Sequence, residues 1–124
     1  MVDAELFESV PNFSEGRDAR VIEAIAAAGR KAHLLDVDSD RDHHRAVISL
    51  AGSRIRLVET LVQTVGAAAE RIDLRSHVGV HPRVGATDVV PIVPLGATSL
   101  ESCRTVSHSL GERLWAELRI PVYF

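Results

Sequence analysis

Residues 32–51 read AHLLDVDSDRDHHRAVISLA. Two short runs rich in Leu, Val and Ile, Ala32 to Asp38 and His44 to Ala51, flank the charged stretch Ser39-Asp40-Arg41-Asp42. Apolar runs of this length around a polar cluster predict two strands paired as an antiparallel hairpin with an acidic, exposed loop. What stands on either side of the hairpin decides the fold. Upstream, Leu6 to Phe13 alternates about Phe7 and Val10 and ends in Pro11-Asn12-Phe13-Ser14-Glu15-Gly16, the pattern of a strand entering a turn. Asp18 can then cap a helix in which Val21, Ile22, Ile25, Ala28 and Ala32 recur at helical spacing, with Gly29 and Lys31 at its end. Downstream, Gly52-Ser53 opens the strongest helical pattern, with Leu57, Val58, Leu61, Val62, Val65, Ala68, Ala69 and Ile72 along one side.

From Arg71 to Ala86 the apolar period is lost among glycines, arginines, histidines and a proline, so a loop is expected there. Thr87 to Leu95 reads as a strand, but Pro91 and Pro94 cannot donate ladder hydrogen bonds and favour an edge or an irregular path. Thr98 and Glu101 form a capping-box pattern before a third helix carrying Leu100, Cys103, Val106, Leu110, Leu114 and Leu118. Ile120 to Phe124 begins another extended segment. The order is β-α-β-β-α-β-α-β, an α/β chain of the α+β kind. Its first six elements match the ferredoxin-like split βαβ arrangement. Helices on one face of such a sheet leave the other face to find a cover.

At 124 residues the chain fits one domain, 1–124, and its 46% apolar content can sustain a core without covalent staples. Cys103 is the only cysteine, which fits a reducing compartment and predicts a cytoplasmic location. The acidic start lacks the basic flank and apolar stretch of an export signal. No apolar run approaches the ~20 residues that span a bilayer, so no membrane partner is expected. Fourteen basic and seventeen acidic side chains, without a basic block, argue against a nucleic-acid partner, and so does the 4% aromatic content.

The densest chemical stretch is His77-Val78-Gly79-Val80-His81-Pro82-Arg83-Val84-Gly85-Ala86-Thr87-Asp88. Gly79 and Gly85 free the backbone while Pro82 fixes it just after His81, a frame able to hold an imidazole that exchanges protons near neutral pH. A catalytic base and a loop-bracing histidine are both open readings for His81. The i, i+4 spacing of His77 and His81 suits metal ligation only on a helix, which Gly79 and Pro82 oppose, so no metal is expected. Asp36, Asp38, Asp40 and Asp42 fail the calcium-loop pattern for want of its glycine and closing glutamate. Asp38, at a strand end, could orient an imidazole or hold a substrate amine, while Asn12 and Glu15 could brace the first turn or touch a ligand. His43 and His44 read as exposed turn residues, and Cys103 as a buried, inert thiol.

Taken in order, Val10-Pro11-Asn12-Phe13-Ser14-Glu15-Gly16, Leu34-Leu35-Asp36-Val37-Asp38, His81-Pro82-Arg83, Gly85-Ala86-Thr87-Asp88-Val89-Val90-Pro91 and Ile120-Pro121-Val122-Tyr123 resemble the amino-terminal subdomain of the formiminotransferases. That family includes glutamate formiminotransferase and the bifunctional formiminotransferase-cyclodeaminases, and the likeness runs nearly end to end. It implies formimino transfer between tetrahydrofolate and L-glutamate, within one-carbon metabolism and histidine catabolism. His81 of the His-Pro-Arg motif is then the general base and Asp38 its helper. By the same resemblance Asn12, Glu15, Arg45, Arg83, Gly85 and Asp88 contact substrate or folate, and no metal takes part. Val80 and His44 depart from the Glu and Asn common at those places in the family. The resemblance further implies a carboxy-terminal subdomain, or a homo-oligomer, to complete the cleft, so the chain is expected to be an incomplete transferase alone. A non-catalytic ferredoxin-like binding or oligomerisation module, and a structural subunit of a split enzyme, are the other readings.

Overall fold

The computed structural model describes residues 5–73 and 85–124. The hairpin expected around residue 42 is present: β3 (His33–Asp40) pairs antiparallel with β4 (Arg45–Ser53). On its other side β4 meets β1 (Leu6–Ser9) near one end and β2 (Asn12–Phe13) near the other, again antiparallel. These in turn pair with β6 (Ile92–Leu95) and β5 (Thr87–Val89).

The expected strands 6–13 and 87–95 are therefore each interrupted once, at Val10-Pro11 and at Val90-Pro91. The register sets Ser9 against Ile92 and Asn12 against Val89, so the two breaks lie opposite each other. Neither proline nitrogen can donate, and the two share one gap, beyond which β2 and β5 pair with a bulge: Asn12 faces Val89 and Phe13 faces Thr87, with Asp88 between. Ile48 N–H bridges the gap from the other side, donating to Pro11 O at 3.2 Å. Pro91 and Pro94 stand on the sheet edge, as their missing donors require.

α1 (Ala19–Gly29) starts where Asp18 accepts from the N–H groups of Arg20 and Val21. α2 (Arg54–Arg71) follows β4 without a break, and α3 (Leu100–Leu118) begins at Ser99, whose hydroxyl accepts from Ser102 N–H. The cap of α3 is thus one residue later than the Thr98 pattern suggests, because the Thr98 hydroxyl accepts instead from Leu6 N–H at 3.1 Å. Leu100, expected on the stripe of α3, is 75% exposed because the first turn of the helix stands beyond the core. Residues 119–124 form no strand. Arg119 takes a left-handed conformation (φ 56°) and turns the chain back, so that Phe124 lies against Gly111 and stacks on His108 at 4.1 Å.

One apolar core joins the three helices to one face of the sheet. Phe7, Phe13, Ile48 and Leu50 meet Ile25 of α1, Leu57, Leu61 and Val65 of α2, and Cys103, Val106 and Leu110 of α3. Buried residues alternate through β4 (Ala46, Ile48, Leu50), so Arg45, Val47, Ser49 and Ala51 point to the opposite face. Among the described residues no helix is long and apolar enough to cross a membrane.

Cys103 is 5% exposed, and burial pushes its thiol up from the usual range. Ellman's reagent should therefore label it on the order of 100-fold more slowly in the native protein than in denaturant. Equal rates in the two states would contradict the buried placement.

Candidate active site

The face of the sheet turned away from the helices carries the polar residues. Cross-strand register places Val89, Asn12, Val47 and Asp38 in one row over four strands. Asp36 faces Ser49 and Asp40 faces Arg45 in the flanking rows, so the three acids of β3 share this face. Asp38 is exposed and lies two strand spacings from Asn12, roughly 10 Å.

Beside that row Arg45 is held in a polar network. One of its terminal nitrogens donates to Asp88 Oδ2 at 2.6 Å and the other to Asn12 Oδ1 at 3.1 Å. Asn12 Nδ2 donates to Val10 O at 3.0 Å. The second oxygen of Asp88 accepts Gly85 N–H at 2.9 Å and closes the turn at the start of β5. The side chains of Asp88 and Arg45 are only 6% and 18% exposed, so each charge depends on the other in a largely dry setting. Asn12, Arg45, Gly85 and Asp88 are thereby brought into one connected group, on the same face as Asp38.

Glu15 lies nearby with different contacts. Its carboxylate accepts the N–H groups of Arg17 and Asp18, both at 3.0 Å, and braces the turn that enters α1. His44, expected to be exposed, is 6% exposed instead, because Gly16 N–H donates to its Nδ1 at 2.9 Å and draws the ring inward. Nδ1 accepts that bond, which puts the ring proton on Nε2; the 3.4 Å approach of Glu15 to Nδ1 is therefore not an ion pair. His44 has a positive φ of 54°, which histidine adopts more readily than most residues. His43 does remain exposed and meets Asp40 at 2.7 Å, and the hydrogen bond from His43 holds the Asp40 carboxyl below the usual range.

His77, His81 and Arg83 lie outside the described residues. Ser14 had no role in the sequence reading, yet it joins β2 to the turn before β5: its hydroxyl donates to Gly85 O at 2.8 Å and its N–H to Ala86 O at 2.9 Å. Its position inside the Pro-Asn-Phe-Ser-Glu-Gly stretch was the available signal. Among the described residues no three His, Cys, Asp or Glu side chains group as a metal site. Two surface hollows, of about 280 and 510 Å³, lie elsewhere, one near Arg54 and Ser99 and one near Trp115 and Phe124.

The sheet is antiparallel, and the polar cluster lies on the face turned away from α1, α2 and α3. The family described as the formiminotransferase domain, N-terminal subdomain, matches residues 6–124, and the chain belongs to it. A glutamate formimidoyltransferase of Thermoplasma acidophilum is 45% identical over 122 residues, covering 95% of this chain and 40% of that protein. One from Streptococcus pyogenes serotype M1 is 40% identical over 97% of the chain and 41% of its own length. The formimidoyltransferase-cyclodeaminase of Gallus gallus is 43% identical over 97% of the chain, which spans 23% of that protein. The chain thus spans well under half the length of these relatives.

Two stability measurements test this geometry. A Cβ on Gly16 would collide with the backbone of the β3–β4 turn at Asp40 O and Arg45 N, which no side-chain movement relieves. Gly16→Ala should cost about 3 kcal/mol in urea unfolding; a wild-type midpoint would contradict the packing. Asp88→Asn should cost about 2–3 kcal/mol by removing the charge that meets Arg45 at 2.6 Å, and Arg45→Met with Asp88→Leu should recover part of that loss. A double variant no more stable than Asp88→Asn would show that the ion pair is not what Asp88 contributes.

Proposed function

We propose that this chain is the amino-terminal half of a glutamate formimidoyltransferase that moves a formimino group between tetrahydrofolate and L-glutamate. The observation that carries the reading is the Asn12–Arg45–Asp88 network on the open sheet face beside Asp38, in a member of the formiminotransferase family. A folate brings hydrogen-bonding ring edges and carboxylates, and a face of fixed donors and acceptors flanked by Val47 and Val89 suits both its polar and its flat apolar parts. Arg45, Asn12, Gly85 and Asp88, with Arg83 and Glu15, are the proposed substrate-binding set.

The chemistry needs a proton acceptor. A nitrogen attacking the electrophilic formimino carbon gains a positive charge as the tetrahedral intermediate forms, and it must lose a proton before the carbon–nitrogen bond to the donor breaks. In this reading His81 takes that proton and returns it to the departing nitrogen, while Asp38 orients the imidazole or favours its charged form. Chain residues suffice for the acid–base steps, and folate enters as a substrate. A carboxy-terminal subdomain closes the cleft from the open-face side, and the single buried thiol suits a reducing cytoplasm.

Three outcomes follow in steady-state assays. The purified 124-residue chain alone should show little or no formimino transfer, and robust turnover would contradict the half-site reading. In an assembly with the carboxy-terminal subdomain, His81→Gln should lower kcat by about 10²- to 10⁴-fold with a much smaller effect on folate binding. Unchanged kcat would leave His81 a loop residue. Asp38→Asn should cost less, and because it removes a negative charge that favours the imidazolium, the acidic limb of the kcat profile should move to lower pH. An unmoved limb would separate Asp38 from the base.

A further inference from the structure

We infer that His44 is a positioning residue for ligand binding: as a hydrogen-bond acceptor on a left-handed backbone, it fixes the start of β4 and so aims the Arg45 guanidinium across the open sheet face. The inference rests on the substrate-binding role proposed for Arg45 and assigns His44 itself no contact with substrate. His44 is 6% exposed and ends the turn between β3 and β4 with φ 54°. Its Nδ1 accepts the buried N–H of Gly16, from the turn that follows β2, at 2.9 Å. Leaving that N–H buried and unpaired is costly, so the bond holds the imidazole, and with it the φ of residue 44, in place.

Gly16 also packs on Arg45 directly. A Cβ at Gly16 would run into Arg45 N and Arg45 O as well as Asp40 O, so the glycine lies flat against the peptide groups on both sides of Arg45. Nearby, Arg17 Nε donates to Arg41 O at 2.8 Å, and Glu15 holds Arg17 N–H at 3.0 Å. Residues 15–17 therefore cradle the turn 41–44 at two points, one buried and one exposed. Asp40 and Arg45 form the last registered pair before that turn, so no ladder bond beyond them resists a change of φ at residue 44. From this anchor the Arg45 side chain reaches Asn12 at 3.1 Å and Asp88 at 2.6 Å, on two successive strands. A guanidinium that meets two fixed partners at hydrogen-bond distance tolerates little rotation of the backbone that carries it. Position 44 thus requires an acceptor at the δ1 place and tolerance of positive φ. Asparagine has both, because its Oδ1 stands two bonds from Cβ as the histidine Nδ1 does, and it too is enriched at positive φ. Alanine has neither.

The test titrates 5-formyltetrahydrofolate into the assembly with the carboxy-terminal subdomain by calorimetry, and compares His44→Ala, His44→Asn, Arg45→Met and the double variant of His44→Ala with Arg45→Met. His44→Ala should raise Kd about 10-fold, the share of one charge-assisted hydrogen bond, while His44→Asn stays within about 3-fold of wild type, at a temperature where melting shows the proteins folded. Because His44 acts through Arg45, the double variant should bind scarcely more weakly than Arg45→Met alone. Wild-type affinity in His44→Ala, an asparagine variant as weak as the alanine one, or losses that simply multiply in the double variant would overturn the inference while leaving Arg45 as a binding residue. Wild-type affinity in Arg45→Met would instead overturn the reading beneath it. Nuclear magnetic resonance on the 124-residue chain tests the positioning without ligand. The Arg45 guanidinium N–H groups should give separate, slowly exchanging signals in wild type and His44→Asn, and merged ones in His44→Ala; separate signals in all three would show that Arg45 keeps its place without His44. A scalar coupling between Gly16 N and His44 Nδ1 across their hydrogen bond should be present in the unmutated chain, and its absence would remove the contact on which the inference stands.

Discussion

The ion pair between Arg45 and Asp88 is the contact on which the arrangement of the open face depends. Arg45 sits at the start of β4 and Asp88 within β5, and β2 runs between them, so the pair spans an intervening strand through Asn12. A charge pair this far out of water is weak evidence of net stability, because desolvation offsets much of the attraction. Its value is specificity of position. With Asp88 6% exposed, any slip of β5 along β2 would separate two mostly buried charges, and that alternative is strongly disfavoured.

Around that pair the two faces of the sheet divide their tasks. The helix side is filled by Phe7, Phe13, Ile48 and Leu50 and carries the core. The open side mixes apolar Val47 and Val89 with Asn12, Arg45 and the acids of β3, more polar than a sheet face meant only for burial. The proline breaks serve the same division. By falling opposite each other at Val10-Pro11 and Val90-Pro91, they end the β1–β6 pairing at one level and let β2 and β5 pair again beyond it with a shifted register.

Much of this was legible in the chain itself. The hairpin, the three helices and the Asp18 cap follow from periodicity and local chemistry, and the stripe expected on α2 is buried at Leu57, Val58, Leu61, Val62, Val65, Ala68 and Ile72 but not at Ala69, which is exposed. Thr64 was not expected inside, yet its hydroxyl satisfies itself on Leu61 O at 3.0 Å and can share an apolar face. The misreadings came from long-range pairings. Thr98 gave its hydroxyl to Leu6, and His44 was drawn inward by Gly16, a partner 28 residues away. Asn12 was a candidate from its turn, and Arg45 and Asp88 from the resemblance, but nothing in their spacing foretells one connected network. Ser14 stayed unread because a serine is informative only once the carbonyls facing it are known.

The proposed function places folate on the sheet face turned away from α1, α2 and α3, around Asn12, Arg45 and Asp88. Hydrogen exchange on the assembly with the carboxy-terminal subdomain, with and without saturating 5-formyltetrahydrofolate, tests it most directly. Residues 11–16, 45–49 and 85–89 should exchange more slowly with ligand bound, with the outer surfaces of α1 and α3 unchanged. Saturable binding that protects only the helix side, or leaves those three segments untouched, would contradict it.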